Sequence, residues 1–291
     1  MENGDMCPVC GSNYSVLLYP DSLGTDLPQF DYSFTPYHMR TYKIVKCRAC
    51  THAFCIIPHT DLWENYQSTI DPEYINRQFA HIKTAEQVVA VMQKYADGKT
   101  LIDIGCSTGD FLSIAKDYYA VEGLELSQWS SKLAKERGFT VHTCKINELP
   151  ADAKYDIITL WGVIEHLESP KDEIESLKTH LNPGGFICVY TGDAGSWLAR
   201  LMGKKWWYIQ GQHIQFFSID SLTKLFSDAG FSTLVTTYYP ITTDLKTLSK
   251  SFYRYTLIKP LSQLLLENRF VRDITLTLTI PGEILAVFKK E

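Results

Sequence analysis

Apolar residues follow two rhythms along this chain. One is a set of short dense runs: Leu101-Ile102-Ile104, Ala120 to Leu126, Phe139 to His142, Tyr155 to Trp161, Phe186 to Tyr190, Phe231 to Tyr239 and Glu283 to Phe288. Runs this short and this apolar read as strands buried on both faces of a largely parallel sheet. Between them apolar positions recur every three or four residues, the helical period. The clearest case spans Glu73 to Ala96, with Ile75, Phe79, Ile82, Ala85, Val88, Val89 and Met92 on one stripe before the stop at Asp97-Gly98. Gln128 to Arg137, Pro170 to Leu181 and Asp220 to Ala229 repeat the pattern, each followed by glycine within a few residues. Strands alternating with helices predict an α/β fold with helices packed on the sheet.

The first strand leads into the stretch Thr100 to Phe111, TLIDIGCSTGDF. A strand ends there in a glycine turn that opens a helix, and Gly105 and Gly109 let a ligand approach the backbone. The second strand ends in Glu125, placed to accept hydrogen bonds from ribose hydroxyls. A G-x-G-x-x-G fingerprint would need glycine at positions 107 and 110, which hold Ser107 and Asp110. No Gly-Lys-Ser/Thr follows either, so neither a dinucleotide cradle nor a P-loop is expected.

The pattern that is present, D-x-G-x-x-x-G from Asp103 to Gly109, resembles motif I of class I S-adenosylmethionine (SAM)-dependent methyltransferases. The resemblance implies a Rossmann-like seven-stranded sheet. It also implies that Asp103, Gly105, Cys106, Ser107 and Gly109 surround the methionine part of SAM, and that Glu125 and Leu126 hold the ribose side. The residues beside adenine fall at Lys145-Ile146-Asn147, where Ile146 is the expected contact and the family's aspartate is missing. Tyr155 to Leu167 resembles the family's strand-and-turn segment with its Glu-His pair, here Glu165-His166; Trp161 is expected to flank the cofactor, and His166 to face the methyl group or brace the turn.

Two Cys-x-x-Cys knuckles, Cys7-Pro8-Val9-Cys10 and Cys47-Arg48-Ala49-Cys50, precede all of this. Two such turns brought together make the four-sulfur tetrahedron that zinc prefers. With every position filled by cysteine the expected zinc is structural; His52 is the alternative fourth ligand. Duplicated knuckles ahead of a class I domain resemble the nucleotide-sugar C-methyltransferases. Residues 191–218, rich in tryptophan, lysine and histidine, resemble a bacterial branch acting in glycan and secondary-metabolite pathways. That likeness makes His213 the first candidate for the general base and His166 the second. The large C-terminal domain of the C-methyltransferases has no counterpart here, so a sugar hydroxyl or amine is the expected acceptor.

These readings divide the chain into a zinc-ribbon-like domain (1–60), a linker with a cofactor-covering helix (61–97), the SAM-binding core (98–240), a helical insertion (241–282) and the last strand (283–291). Leu245, Leu248, Phe252 and Tyr255, then Leu261, Leu264 and Leu265, give the insertion its helical spacing, as a cap, a lid or a homodimer contact. The chain has 291 residues, 45% hydrophobic and 21% charged, and a net charge of −5. An acidic balance argues against a nucleic-acid footprint. With Glu2 and Asp5 at the start and no long apolar run, neither a signal peptide nor a membrane span is expected, which predicts a cytoplasmic protein acting on a small molecule. The runner-up function is ribosomal RNA base methylation guided by an N-terminal zinc finger; a non-catalytic SAM-binding zinc adaptor is the alternative from another class.

Overall fold

The computed structural model describes residues 6–24, 40–57, 66–245, 248, 249, 260 and 274–291. Apolar runs become strands β4 (Thr100–Ile104), β5 (Ala120–Leu124), β6 (Val141–His142), β7 (Tyr155–Trp161) and β8 (Leu181–Gly192), all parallel. A hairpin of β10 (Phe231–Asp244) and β11 (Thr275–Lys290) adds antiparallel to β8. The resulting seven-stranded mixed sheet has the order β10-β11-β8-β7-β4-β5-β6. Strand order reverses direction at β4, because β5 and β7 lie on its two sides. Sheets of this kind bind ligands at the carboxyl ends flanking such a reversal.

The expected helix 73–96 is two. Asp71 accepts a hydrogen bond from the Tyr74 N–H and Pro72 starts α1 (Pro72–Asn76), which ends at Arg77 before α2 (Gln78–Met92) begins. Only the second half of the predicted stripe is core: Ala85, Val88, Val89 and Met92 are buried, whereas Phe79 is 61% exposed. The break turns the first half away from the sheet, over its carboxyl edge. Asp110 at the start of α3 (Asp110–Ala115) ties this region down, accepting hydrogen bonds from Gln78, His81 and Arg137. Those three cations and donors hold its carboxyl below the usual range against the cost of burial. Helices α4 (Gln128–Glu136) and α5 (Pro170–Thr179) follow the sequence pattern closely. Beyond them, α6 (Trp197–Met202) and α7 (Ile219–Asp228) complete the helices used below.

The terminal hairpin is longer than the sequence pattern indicated. Pairing continues to Asp244 opposite Thr275, so residues 241–244 and 275–282 of the expected helical insertion are strand, and residues 275–280 alternate threonine with apolar residues. The helical spacing read over 252–265 lies outside the described residues.

The N-terminal region forms a four-stranded antiparallel sheet, β1 (Ser15–Tyr19), β2 (Lys43–Cys47), β3 (Ala53–Ile56) and β9 (Gln215–Phe216). Its fourth strand comes from the far side of the chain. The two sheets also share one core: Cys7, Val9, Val45 and Phe54 pack in the same apolar cluster as Ile104, Leu160, Phe217 and Phe226. No helix among the described residues is long and apolar enough to cross a membrane. In that core, fully buried Phe226 and Phe288 stack with centroids 3.8 Å apart. Phe226→Ala is expected to lower unfolding free energy by about 3–5 kcal/mol, read as a shift of the urea midpoint at unchanged slope.

Candidate active site

A cavity of about 250 Å³ opens at the carboxyl ends of β4, β5 and β7. Its floor is set by register. Ile104 pairs with Leu124, so Gly105 and Glu125 emerge side by side at adjacent strand tips. Gly105 has φ +74, and a Cβ there would stand 2.6 Å from Val163 Cγ2; only glycine fits this turn. The Glu125 carboxylate, fully buried, accepts the Ser107 N–H at 2.9 Å and the Ser127 N–H at 2.7 Å. Asp103, 2% exposed, accepts the Thr159 hydroxyl at 2.6 Å. Burial, with the Glu125 charge adding to it, pushes Asp103 up to about 8, and burial raises Glu125 as well.

Of the expected cofactor residues, Gly105, Ser107, Glu125, Leu126, Ile146 and Trp161 line the cavity. Asp103 lies beneath its wall. Gly109 caps α3 at φ +83 against Phe139, and the Cys106 side chain packs with Leu112, Ala134 and Val141, so these two shape the turn from behind. Lys145, expected beside adenine, faces the cavity, and so do residues not anticipated from the sequence: Tyr66, Tyr74, Ser127, Glu173 and Gln212. Tyr74 stands on α1, whose separate start at Asp71 and Pro72 the sequence reading did not mark. Glu173 stands on α5, near the Ile146 turn where the aspartate is missing; neither had a local signal.

His166 lines the same cavity from the turn after β7. Its Nδ1 lies 2.8 Å from the Gln212 carbonyl oxygen, so Nδ1–H is the donor of that bond. His213 stands behind it, ring centroids 4.9 Å apart and 5% exposed. The His213 Nδ1–H donates to the Tyr208 carbonyl, while the Gln210 amide donates to Nε2 at 2.8 Å. His166 thus reaches the cavity, and His213 is held in a buried network behind it. Glu165 anchors that network, accepting from Thr191 at 3.0 Å and from the Tyr208 hydroxyl.

The four N-terminal sulfurs converge. Cys7 Sγ lies 3.5 Å from Cys50 Sγ and Cys10 Sγ 3.6 Å from Cys47 Sγ. Four sulfurs about 2.3 Å from a tetrahedral zinc stand roughly 3.8 Å apart, so the spacing fits that ion. Four thiolates this close would repel strongly without a cation between them. His52 is not a fourth ligand here: its Nε2 meets the Gln215 side-chain oxygen at 2.9 Å and its Nδ1 faces Ser221.

A SAM-sized cofactor fits what the cavity offers. Two acids lie beneath a close-approach glycine turn, Leu126 and Ile146 supply apolar walls, and the buried Trp161 indole N–H finds no acceptor within the protein. Residues 74–236 match the family described as "Methyltransferase domain". Ubiquinone biosynthesis O-methyltransferase of Paraburkholderia phytofirmans is 31% identical over 130 residues, covering 38% of this chain and 55% of that protein. "Probable tRNA methyltransferase 9B" of Bos taurus is 28% identical over 143 residues, 48% of this chain and 30% of that protein. The chain therefore spans about half or less of the length of these curated relatives. A SAM-dependent methyltransferase from Archaeoglobus fulgidus shares the fold, with TM-score 0.53, 14% identity and coverage of 76% of this chain and 100% of that one.

Asp103 makes stability depend on pH in a defined direction. Its folded value near 8 exceeds its ordinary 3.8, so the folded state holds the extra proton and loses stability as pH rises through that window. Asp103→Asn removes this dependence. Urea unfolding from about pH 5 to pH 8 should therefore shift progressively in favour of the variant; parallel curves would refute the burial argument.

Proposed function

The chain belongs to the class I SAM-dependent methyltransferases, and from that premise we propose that it methylates a small-molecule acceptor, a sugar or nucleotide-sugar intermediate. The observation that carries this reading is the enclosed cavity with acids on one side and the His166 ring on the other. The acidic net charge supports a small molecule over RNA.

When bound, SAM supplies a methyl group already activated on a sulfonium. The chain's own residues have the remaining work. Glu125 accepts hydrogen bonds from hydroxyls of the ribose, and the Gly105 to Ser107 turn admits the cofactor's approach. Leu126, Ile146 and Trp161 would give it apolar walls, and its sulfonium would draw out the charged form of Asp103 below. His166 Nε2 would take the acceptor's proton during transfer, and the Gln212 carbonyl holds the ring's direction. His213 positions that ring from behind. Cys7, Cys10, Cys47 and Cys50 hold a structural zinc, with no position left for catalytic water.

His166→Ala should lower turnover on the order of 10²–10⁴-fold with SAM affinity unchanged. Glu125→Ala should instead weaken SAM binding by roughly 10–100-fold, the value of charge-assisted hydrogen bonds, as read by calorimetry. Zinc should be found at about one per chain and be lost in the Cys47→Ser, Cys50→Ser double variant. Incubation with methyl-labelled SAM should put label into phosphatase-sensitive nucleotide sugars when these and total RNA are offered side by side. Label only in nuclease-sensitive material would replace this reading with RNA methylation; binding of SAM without transfer would favour an adaptor.

A further inference from the structure

Strand β3 leaves the second cysteine knuckle and pairs directly with β9, Ala53 opposite Phe216 and Phe54 opposite Gln215. The contact continues past the strand ends. The Cys55 N–H donates to the Ile214 carbonyl at 2.8 Å, and the Cys55 thiol to the His213 carbonyl at 3.6 Å. From β9 the same stretch reaches the turn that carries His166. The Ile214 N–H donates to the Glu165 carbonyl at 2.9 Å, the Gln215 amide donates to the Leu167 carbonyl at 2.9 Å, and the Gln212 carbonyl holds the His166 ring.

The side chain joining the two ends is His52. Because the Gln215 amide nitrogen is spent on Leu167, the Gln215 oxygen must accept, and His52 Nε2–H is its donor at 2.9 Å. His52 is fully buried, and its carbonyl accepts the Cys47 N–H at 2.8 Å, so its backbone is part of the knuckle itself. Thr51 beside it takes φ +63, a conformation a β-branched residue adopts only when its surroundings impose it. A metal closing the four-cysteine turn is the constraint at hand.

We propose that the four-cysteine unit is a positioning element of the acceptor site, fixing the main chain at 212–215 through His52, Gln215 and the β3–β9 pairing, and through it the His166 ring. This rests on the reading that the cysteines hold zinc and that His166 faces the acceptor. The expected SAM contacts at Gly105, Ser107, Glu125, Leu126, Ile146 and Trp161 make none of these bonds, so zinc should govern one half of the site and leave the other alone.

The test is hydrogen exchange on the full chain, zinc-loaded and after release of zinc by a chelator, with SAM affinity measured alongside. A second variant, Gln215→Ala, breaks the brace without touching the metal. In both cases the Ile214 amide should exchange roughly tenfold faster or more, the C2–H exchange rate of the His166 ring should change, and SAM affinity should hold within about twofold. Zinc re-addition should restore the chelated protein. Faster exchange confined to residues 6–56, or SAM affinity falling in step with global unfolding, overturns the proposal. So does a purified chain that carries no zinc yet protects Ile214. None of these outcomes touches the methyl-transfer reading, which is decided by where label from SAM goes.

Discussion

Two carboxyl groups buried side by side at neighbouring strand tips are the constraint that the rest of this structure serves. Asp103 and Glu125 are held there by the register of β4 and β5, and burial alone would favour their neutral forms. The fold answers with directed donors: the Thr159 hydroxyl to one, two backbone N–H groups to the other. Those backbone donors exist because the chain turns sharply at Gly105 to Ser107 and at Ser127. The glycine turn, the second-strand acid and the cavity between them are thus one arrangement. A ligand bringing positive charge and hydroxyl groups completes it, and SAM has both.

The His166 side of the cavity is organised by different chemistry. Glu165 and Glu283 are also buried, and their partners are mainly phenol, indole and hydroxyl groups from Tyr208, Trp207, Tyr190 and Thr191. Burial pushes Glu283 up to about 7 despite its two donors. This network fixes the 206–213 stretch from below while the N-terminal sheet fixes it from the side. The Gln212 carbonyl, part of that stretch, accepts from His166 Nδ1 and links the ring to both.

Much of the core was legible from local pattern. A buried parallel strand is a short apolar run whichever neighbour it pairs with, and the motif from Asp103 to Gly109 announces a strand tip because only glycine tolerates those turns. Pairings distant in sequence left no such trace. Nothing local marks Gln215-Phe216 as the closing strand of an N-terminal sheet, since two residues have no periodicity. The order of His166 and His213 was hidden for the same reason: depth depends on which carbonyl each ring meets. The helix over 73–96 was read as continuous because its stripe persists, yet Asp71 and Pro72 set a separate start and Phe79 faces outward. The terminal hairpin runs on because Thr275 to Ile280 alternate with period two and pair with the strand up to Asp244, a signal outweighed by the helical spacing that precedes it.

The most direct test of the central claim is the pH dependence of SAM binding, measured by calorimetry in buffers of different ionisation enthalpy. If Asp103 sits protonated near neutrality and a cationic cofactor draws out its charged form, SAM binding at pH 7 releases a proton and tightens as pH rises toward 8. The release should vanish in Asp103→Asn. Absence of SAM binding, or an affinity unaffected by pH and by that substitution, would contradict the account.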